Sequence, residues 1–167
     1  MAEASGIGGE TVDLVAVAQT LHWLDTRRFF DEAGRVLRPG GVLAVWAYGP
    51  LSMEEHSLDS LLREFYHSEM GPFWPAERKL VDEGYRRIRL PFAPLDAPEF
   101  SMQVSWSKEE LLGYIRTWSA VTRFIGENGR DPVTALEKRL SVLWGTGRER
   151  RIVTWPLSVK ASRKQEP

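Results

Sequence analysis

No cysteine occurs among the 167 residues, which excludes disulfides, thiolate metal ligands and cysteine nucleophiles and agrees with a reducing, cytoplasmic setting. Neither sign of charge is in excess. Lys and Arg total 22 against 23 Asp and Glu, a formal net charge of −1, so no global field draws the chain to nucleic acid or an anionic membrane. No apolar run approaches the ~20 residues of a membrane span, and the opening MAEASGIGG has neither the basic nor the apolar stretch of a secretion signal. Only three histidines are present. Two of them, His56 and His67, would lie roughly 16 Å apart along a helix, too far to share a metal ion, so no metal site is expected. Neither a G-x-S-x-G elbow nor a P-loop occurs.

What is present is a strongly patterned α/β chain, long enough for one domain over residues 1–167. Leu14 to Ala18 is a continuous apolar run, as expected of a strand covered on both faces. Asp25 is a candidate N-cap for a helix carrying Phe29, Ala33, Val36 and Leu37 on one face, Pro39-Gly40-Gly41 ends it, and Val42 to Trp46 is a second strand. This strand-helix-strand core spans residues 1–49, with parallel strands and a right-handed crossover expected. A mainly helical region follows over residues 50–150. Ser52 to Glu55 and Ser107 to Glu110 have capping-box spacing, Tyr85 to Phe92 and Phe100 to Trp106 read as strands, and the proline-punctuated residues 91–98 read as a loop. Asp131-Pro132 opens a helix striped by Val133, Leu136, Leu140 and Leu143, which Gly145 and Gly147 stop. A last strand covers residues 151–160, with Pro156 pointing to an edge or a bulge, and a polar tail covers residues 161–167. Most of the seven tryptophans fall in the second half, where they imply a large apolar core or an aromatic-walled pocket.

VDLVAVAQTLHWLD followed by RRFFDEAGRVLRPGGVLAVWAYG, residues 12–25 and 27–49, closely resembles the fourth strand, following helix and fifth strand of class I S-adenosylmethionine-dependent methyltransferases of the type 11 group. The rest is similar to the trans-aconitate methyltransferase-like subgroup through Phe73-Trp74-Pro75, Leu90-Pro91-Phe92, residues 114–121 (YIRTWSAV) and Trp155-Pro156-Leu157. The resemblance implies a partial Rossmann-like sheet, equivalent to strands four to seven of that fold, with covering helices. It implies S-adenosylmethionine as cofactor and a small-molecule acceptor, with a carboxylic acid as one candidate.

The main cofactor motif of the resembled fold, a Gly-rich turn between a first strand and a helix, is not matched: Gly6 to Gly9 follows no strand and opens no helix. The expectation is therefore the C-terminal portion of a methyltransferase domain, whose isolated affinity for the cofactor is weak. Glu3 is the candidate for a position near the adenine. Gln19, His22 and Trp23 occupy the loop at the carboxyl end of the first strand, where open α/β sheets bind ligands, and are the candidate cofactor residues. His22 is also the candidate base, since an ordinary imidazole suits proton transfer near neutral pH. Trp74, Trp118 and Ser119 are the candidate acceptor residues, while Arg116 and Arg123 receive no role. Arg148, Arg150, Arg151, Lys160, Arg163 and Lys164 come without a recognition helix or stacking platform, so no nucleic acid is expected. A non-catalytic alternative stands beside these expectations: a truncated chain or pseudoenzyme that self-associates or holds a partner chain through an unpaired Leu14 to Ala18 edge.

Overall fold

The computed structural model describes residues 1–145 and 149–166. In chain order its elements are β1 (Val12–Ala18), α1 (Thr26–Val36), β2 (Leu37–Tyr48), β3 (Ser52–Met53), α2 (His56–Glu64), α3 (Arg78–Asp82), β4 (Ala93–Leu95), β5 (Phe100–Trp106), α4 (Lys108–Arg116), α5 (Ser119–Asn128), α6 (Val133–Trp144) and β6 (Arg151–Arg163). The chain divides into two compact units. The first is Met1–Gly49 with Glu77–Ser101 and Pro156–Pro167, and the second is Pro50–Ala76 with Met102–Trp155.

In the first unit β1 runs parallel to β2, with Leu14 opposite Val42 and Ala18 opposite Trp46. The helix between them begins where the Asp25 carboxylate accepts the Arg28 amide at 3.1 Å, one of the donors a helix start leaves without a partner. It buries Phe29, Ala33 and Val36, and Phe29 and Ala33 join the core formed with Val17, Leu43 and Val45. Each large apolar side chain buried in this way contributes roughly 1.5–3 kcal/mol. The RPGG segment, an irregularity within β2 between the Val12–Leu37 and Leu14–Val42 pairs, has two separate reasons for its glycines: Gly40 is left-handed at φ +77°, and a Cβ on Gly41 would stand 2.9 Å from the Arg38 carbonyl oxygen and 3.2 Å from that of Val12.

β2 pairs antiparallel with β6 from Tyr48–Leu157 to Val42–Arg163, and β4 pairs antiparallel with Ala161, Ser162 and Arg163. The last strand is therefore internal at Ala161 to Arg163, between β2 and β4, and it continues three residues beyond the expected end. Pro156 does not force it to an edge. The proline lies one step beyond the Tyr48–Leu157 pair, where its carbonyl accepts from the Gly49 amide at 3.0 Å and its missing amide removes only the reciprocal bond at the end of the ladder.

Two expectations for this unit are corrected. β1 is paired along one edge only among the described residues, Val17 is its one buried residue and Leu14 is 54% exposed; a run of apolar residues marked the strand but not its cover. Residues 85–92 are not a strand. Gly84 and Tyr85 are both left-handed, at φ +61° and +55°, and this reversal leaves turns in which Tyr85 N–H donates to Leu80 and Ile88 N–H to Tyr85. Ile88, Leu90 and Phe92 pack against the core from these turns, and the strand forms only at β4, inside the proline-rich stretch expected to be a loop.

The segment before β1 is tied to α1. Glu32 accepts from the Ser5 amide at 2.8 Å and from its hydroxyl at 2.6 Å, Arg35 donates to both Glu32 oxygens at 2.8 Å, and Arg35 also donates to the Ile7 carbonyl at 2.7 Å. Hydrogen bonds from Arg35 and then Ser5 hold the Glu32 carboxyl far below the usual carboxylate range.

In the second unit Ser52 and Met53 pair with Thr154 and Val153 instead of capping a helix. The helix starts at His56, and Asp59, not Glu55, reaches back to accept the Met53 amide at 3.0 Å. At Ser107 the expected box is complete: its amide donates to Glu110 Oε2 at 2.7 Å and its hydroxyl accepts from the Glu110 amide at 3.3 Å. Asp131 caps α6 by accepting the Val133 amide at 2.8 Å. Val133, Leu136, Leu140 and Trp144 form the buried stripe of that helix, while Leu143 is largely exposed. Gly147 and Arg148 lie outside the described residues.

Candidate functional site

At the carboxyl end of β1 the backbone turns sharply. Gln19 has φ +52°, a sparsely populated conformation for a residue with a side chain, costing of order 1–3 kcal/mol. Its amide donates to the Trp46 carbonyl at 2.9 Å, and its side-chain Nε2 donates to the Tyr48 carbonyl at 3.3 Å. With the nitrogen so engaged, Oε1 is fixed as an acceptor, yet it is buried without a partner. An unsatisfied buried acceptor costs about 1–3 kcal/mol. Strain and an orphaned acceptor thus coincide in one residue.

Three residues on, a single turn of 3-10 helix over Leu21–Trp23 presents His22 and Trp23. His22 Nδ1 lies 2.8 Å from the Tyr85 hydroxyl, and its ring centroid is 4.9 Å from that of Trp23. Trp23 is 55% exposed. Burial pushes the His22 pKa below the ordinary 6.5 and the positive Arg78 pushes it further, against a smaller opposing pull from Glu77. Burial likewise pushes the Tyr85 phenol up, so it keeps its proton. The imidazole is therefore neutral at pH 7. Tyr85 is the site residue that sequence patterning missed, since it stands 63 positions from His22. The one local signal was Gly84, whose left-handed turn delivers it.

A histidine with a depressed pKa binds fewer protons folded than unfolded at any pH between the two pKa values. Stability from this group is complete above about 6.5 and is lost as the pH falls through the folded-state pKa. NMR titration of the His22 ring should give a midpoint below 6.5; a midpoint at or above 6.5 would contradict the burial described.

Glu3 lines another place, a cleft of about 530 Å³ on the outer side of α1 with Asp25, Arg28 and Arg35 among its walls. In the second unit Trp74 and Trp118 do come together. Their ring centroids are 5.5 Å apart, Tyr66 lies 4.8 Å from Trp74 and 5.3 Å from Trp118, and Trp74 Nε1 donates to the Tyr66 carbonyl at 3.2 Å. Trp118 is 8% exposed and belongs to the packing, whereas Ser119 is exposed at the first residue of α5. Arg116 is held by Asp131 at 2.9 Å and Glu137 at 3.4 Å, and Arg123 by Glu127 at 2.9 Å, so both guanidinium groups are already paired. Among the described residues no group of three or more His, Asp or Glu is placed to hold a metal ion, and no helix is long and apolar enough to cross a membrane.

Comparison with known proteins shows the family. A methyltransferase-domain family model matches residues 2–45. A solved structure from Anaeromyxobacter dehalogenans, described as a "putative type II methyltransferase", is 37% identical, superposes with a TM-score of 0.89 over 99% of this chain, and has 70% of its own chain covered. A "putative methyltransferase" of Dictyostelium discoideum is 28% identical over 98% of this chain, and the chain spans 64% of that relative's length. An uncharacterised methyltransferase of Mycobacterium tuberculosis is 50% identical over 46 residues, 27% of this chain and 19% of its own.

Proposed function

Because the chain belongs to the class I S-adenosylmethionine-dependent methyltransferase family, we propose that it serves the transfer of a methyl group to an oxygen of a small-molecule acceptor, a carboxylic acid or a related compound. The observation that favours this is Gln19: a strained backbone holds a buried, unpartnered acceptor at the strand end where open α/β sheets take their ligands. S-adenosylmethionine, when bound, supplies a methyl carbon on a sulfonium, open to in-line displacement. The chain's own residues orient and insulate. Gln19 Oε1, a buried acceptor without a partner, would be the atom to take a hydrogen bond from a cationic donor such as an ammonium group if the strained turn opened to it. His22, neutral at pH 7, adds no positive charge beside a sulfonium, and it takes the proton from an acceptor that carries one; an ionised carboxylate has none to lose. The exposed Trp23 ring offers a π-face to a cation. Trp74 and Ser119 are assigned to the acceptor and Glu3 to the adenine, while Trp118 backs Trp74 from the core. The chain spans about two thirds of its relatives' length, and weak cofactor binding by residues 1–167 alone belongs to this proposal. A cytoplasmic setting and the trans-aconitate-like subgroup belong to the same proposal.

The experiment is methyl transfer by the complete protein from labelled S-adenosylmethionine to a panel of small acids and alcohols, wild type against Gln19→Leu. Loss of the hydrogen bond to a charged group should weaken cofactor binding at least ~10-fold. A second reading, a non-catalytic chain that associates through β1, is favoured by the half-exposed Leu14 and the unpaired edge; it forecasts no labelled product with any acceptor.

A further inference from the structure

Using none of the residues assigned above, the first unit contains a second cavity of about 450 Å³, bounded by residues 86–97 and by residues 159–162 of β6. That volume lies within the range of small-ligand sites. Its walls include the apolar Leu90 and Phe92. Ser162, which also lines it, is fully buried, and its hydroxyl has no hydrogen-bond partner. A buried hydroxyl left in this state is costly unless something meets it.

Lys160 stands two residues away on the same face of the strand. Its ammonium donates to the Ile88 carbonyl at 2.7 Å and to the Arg86 carbonyl at 3.3 Å, which leaves one of its three N–H groups. Burial alone pushes its pKa down, with no carboxylate pulling the other way. Arg86 and Arg89 line the cavity too, against a single acid, Asp96. In a chain whose formal net charge is −1, this is a local excess of positive charge beside apolar walls.

We propose that this cavity binds a small apolar monocarboxylate, with the carboxylate meeting Lys160 and the hydrocarbon portion lying against Leu90 and Phe92. The remaining ammonium hydrogen supplies one charge-assisted donor to a carboxylate oxygen. An inorganic phosphate asks for more donors and gains nothing from the apolar walls.

The probe is hexanoate, followed through backbone amide shifts in NMR titrations, with hexanol and inorganic phosphate as comparisons. Hexanoate should move the amides of Ile88, Lys160 and Ser162 to saturation. Hexanol should bind at least ~10-fold more weakly, because it forgoes the charge-assisted bond. Lys160→Met should weaken hexanoate by a similar ~10-fold or more, and Lys160→Arg should restore part of the loss. Spectra unchanged away from the cavity establish that each variant folds. The proposal is overturned if hexanoate moves no amide, if hexanol or phosphate binds as tightly, or if folded Lys160→Met binds hexanoate like the wild type.

Discussion

Replacing Trp118 with alanine should destabilise the second unit by about 3–5 kcal/mol, the usual cost of emptying a large aromatic site in a core. Trp118 is 8% exposed. Its ring meets Phe65 at 6.3 Å, Tyr66 at 5.3 Å, Trp74 at 5.5 Å and Tyr114 at 6.1 Å, distances at which aromatic pairs attract beyond simple burial. It also ends one helix and begins another. Its amide donates to Ile115 at 3.0 Å and its carbonyl accepts from Thr122 at 3.0 Å, so the ring is held by backbone on both sides. Neighbours held so firmly cannot close over the gap. Trp118→Phe keeps the ring stacking and should cost less than half as much. Urea unfolding followed by circular dichroism measures both, and a loss below about 1 kcal/mol for the alanine variant would mean that the cluster collapses onto the vacancy.

Gly84→Ala should cost about 2–3 kcal/mol, and the damage should appear in the candidate site. The backbone there has φ +61°, a conformation that costs a residue bearing a Cβ roughly 1–2 kcal/mol. The added carbon would also stand 2.5 Å from Ser158 Oγ, so one of the two must move. Combining Gly84→Ala with Ser158→Gly relieves the clash but not the backbone strain, and part of the stability should return. Because the same turn carries Tyr85 to His22, the single variant should also loosen the imidazole, and its pKa should climb back towards 6.5. If stability falls but the His22 titration does not move, the turn supports the core without setting the site.

Much of the first unit was legible because its signals are local. Asp25 caps, Phe29 and Ala33 recur at helical spacing, and the RPGG segment names its own geometry. The capping box at Ser107 was legible for the same reason, whereas the similar spacing at Ser52 misled: Ser52 and Met53 found pairing partners a hundred residues away, and a strand pairing outweighed a local cap. Residues 85–92 misled in the same way, because their apolar content fits a strand until two consecutive left-handed residues turn the chain. In the candidate site, Gln19, His22 and Trp23 were expected to follow an apolar strand, and they do follow β1. The orphaned Gln19 oxygen and the Tyr85 partner were not legible, since both depend on contacts that only the folded chain makes. The cavity around Lys160 and Ser162 was equally hidden, because alternate residues of a strand read as ordinary polar positions until one of them proves to be buried.

The most direct measurement of the central claim is labelled-methyl transfer by the complete protein to a panel of small carboxylic acids, with wild type and Gln19→Leu side by side. Labelled methyl ester from the wild type, with at least ~10-fold weaker cofactor binding in a folded Gln19→Leu, is the predicted result. No labelled product from any acceptor, or a Gln19→Leu protein that binds S-adenosylmethionine like the wild type, would contradict it.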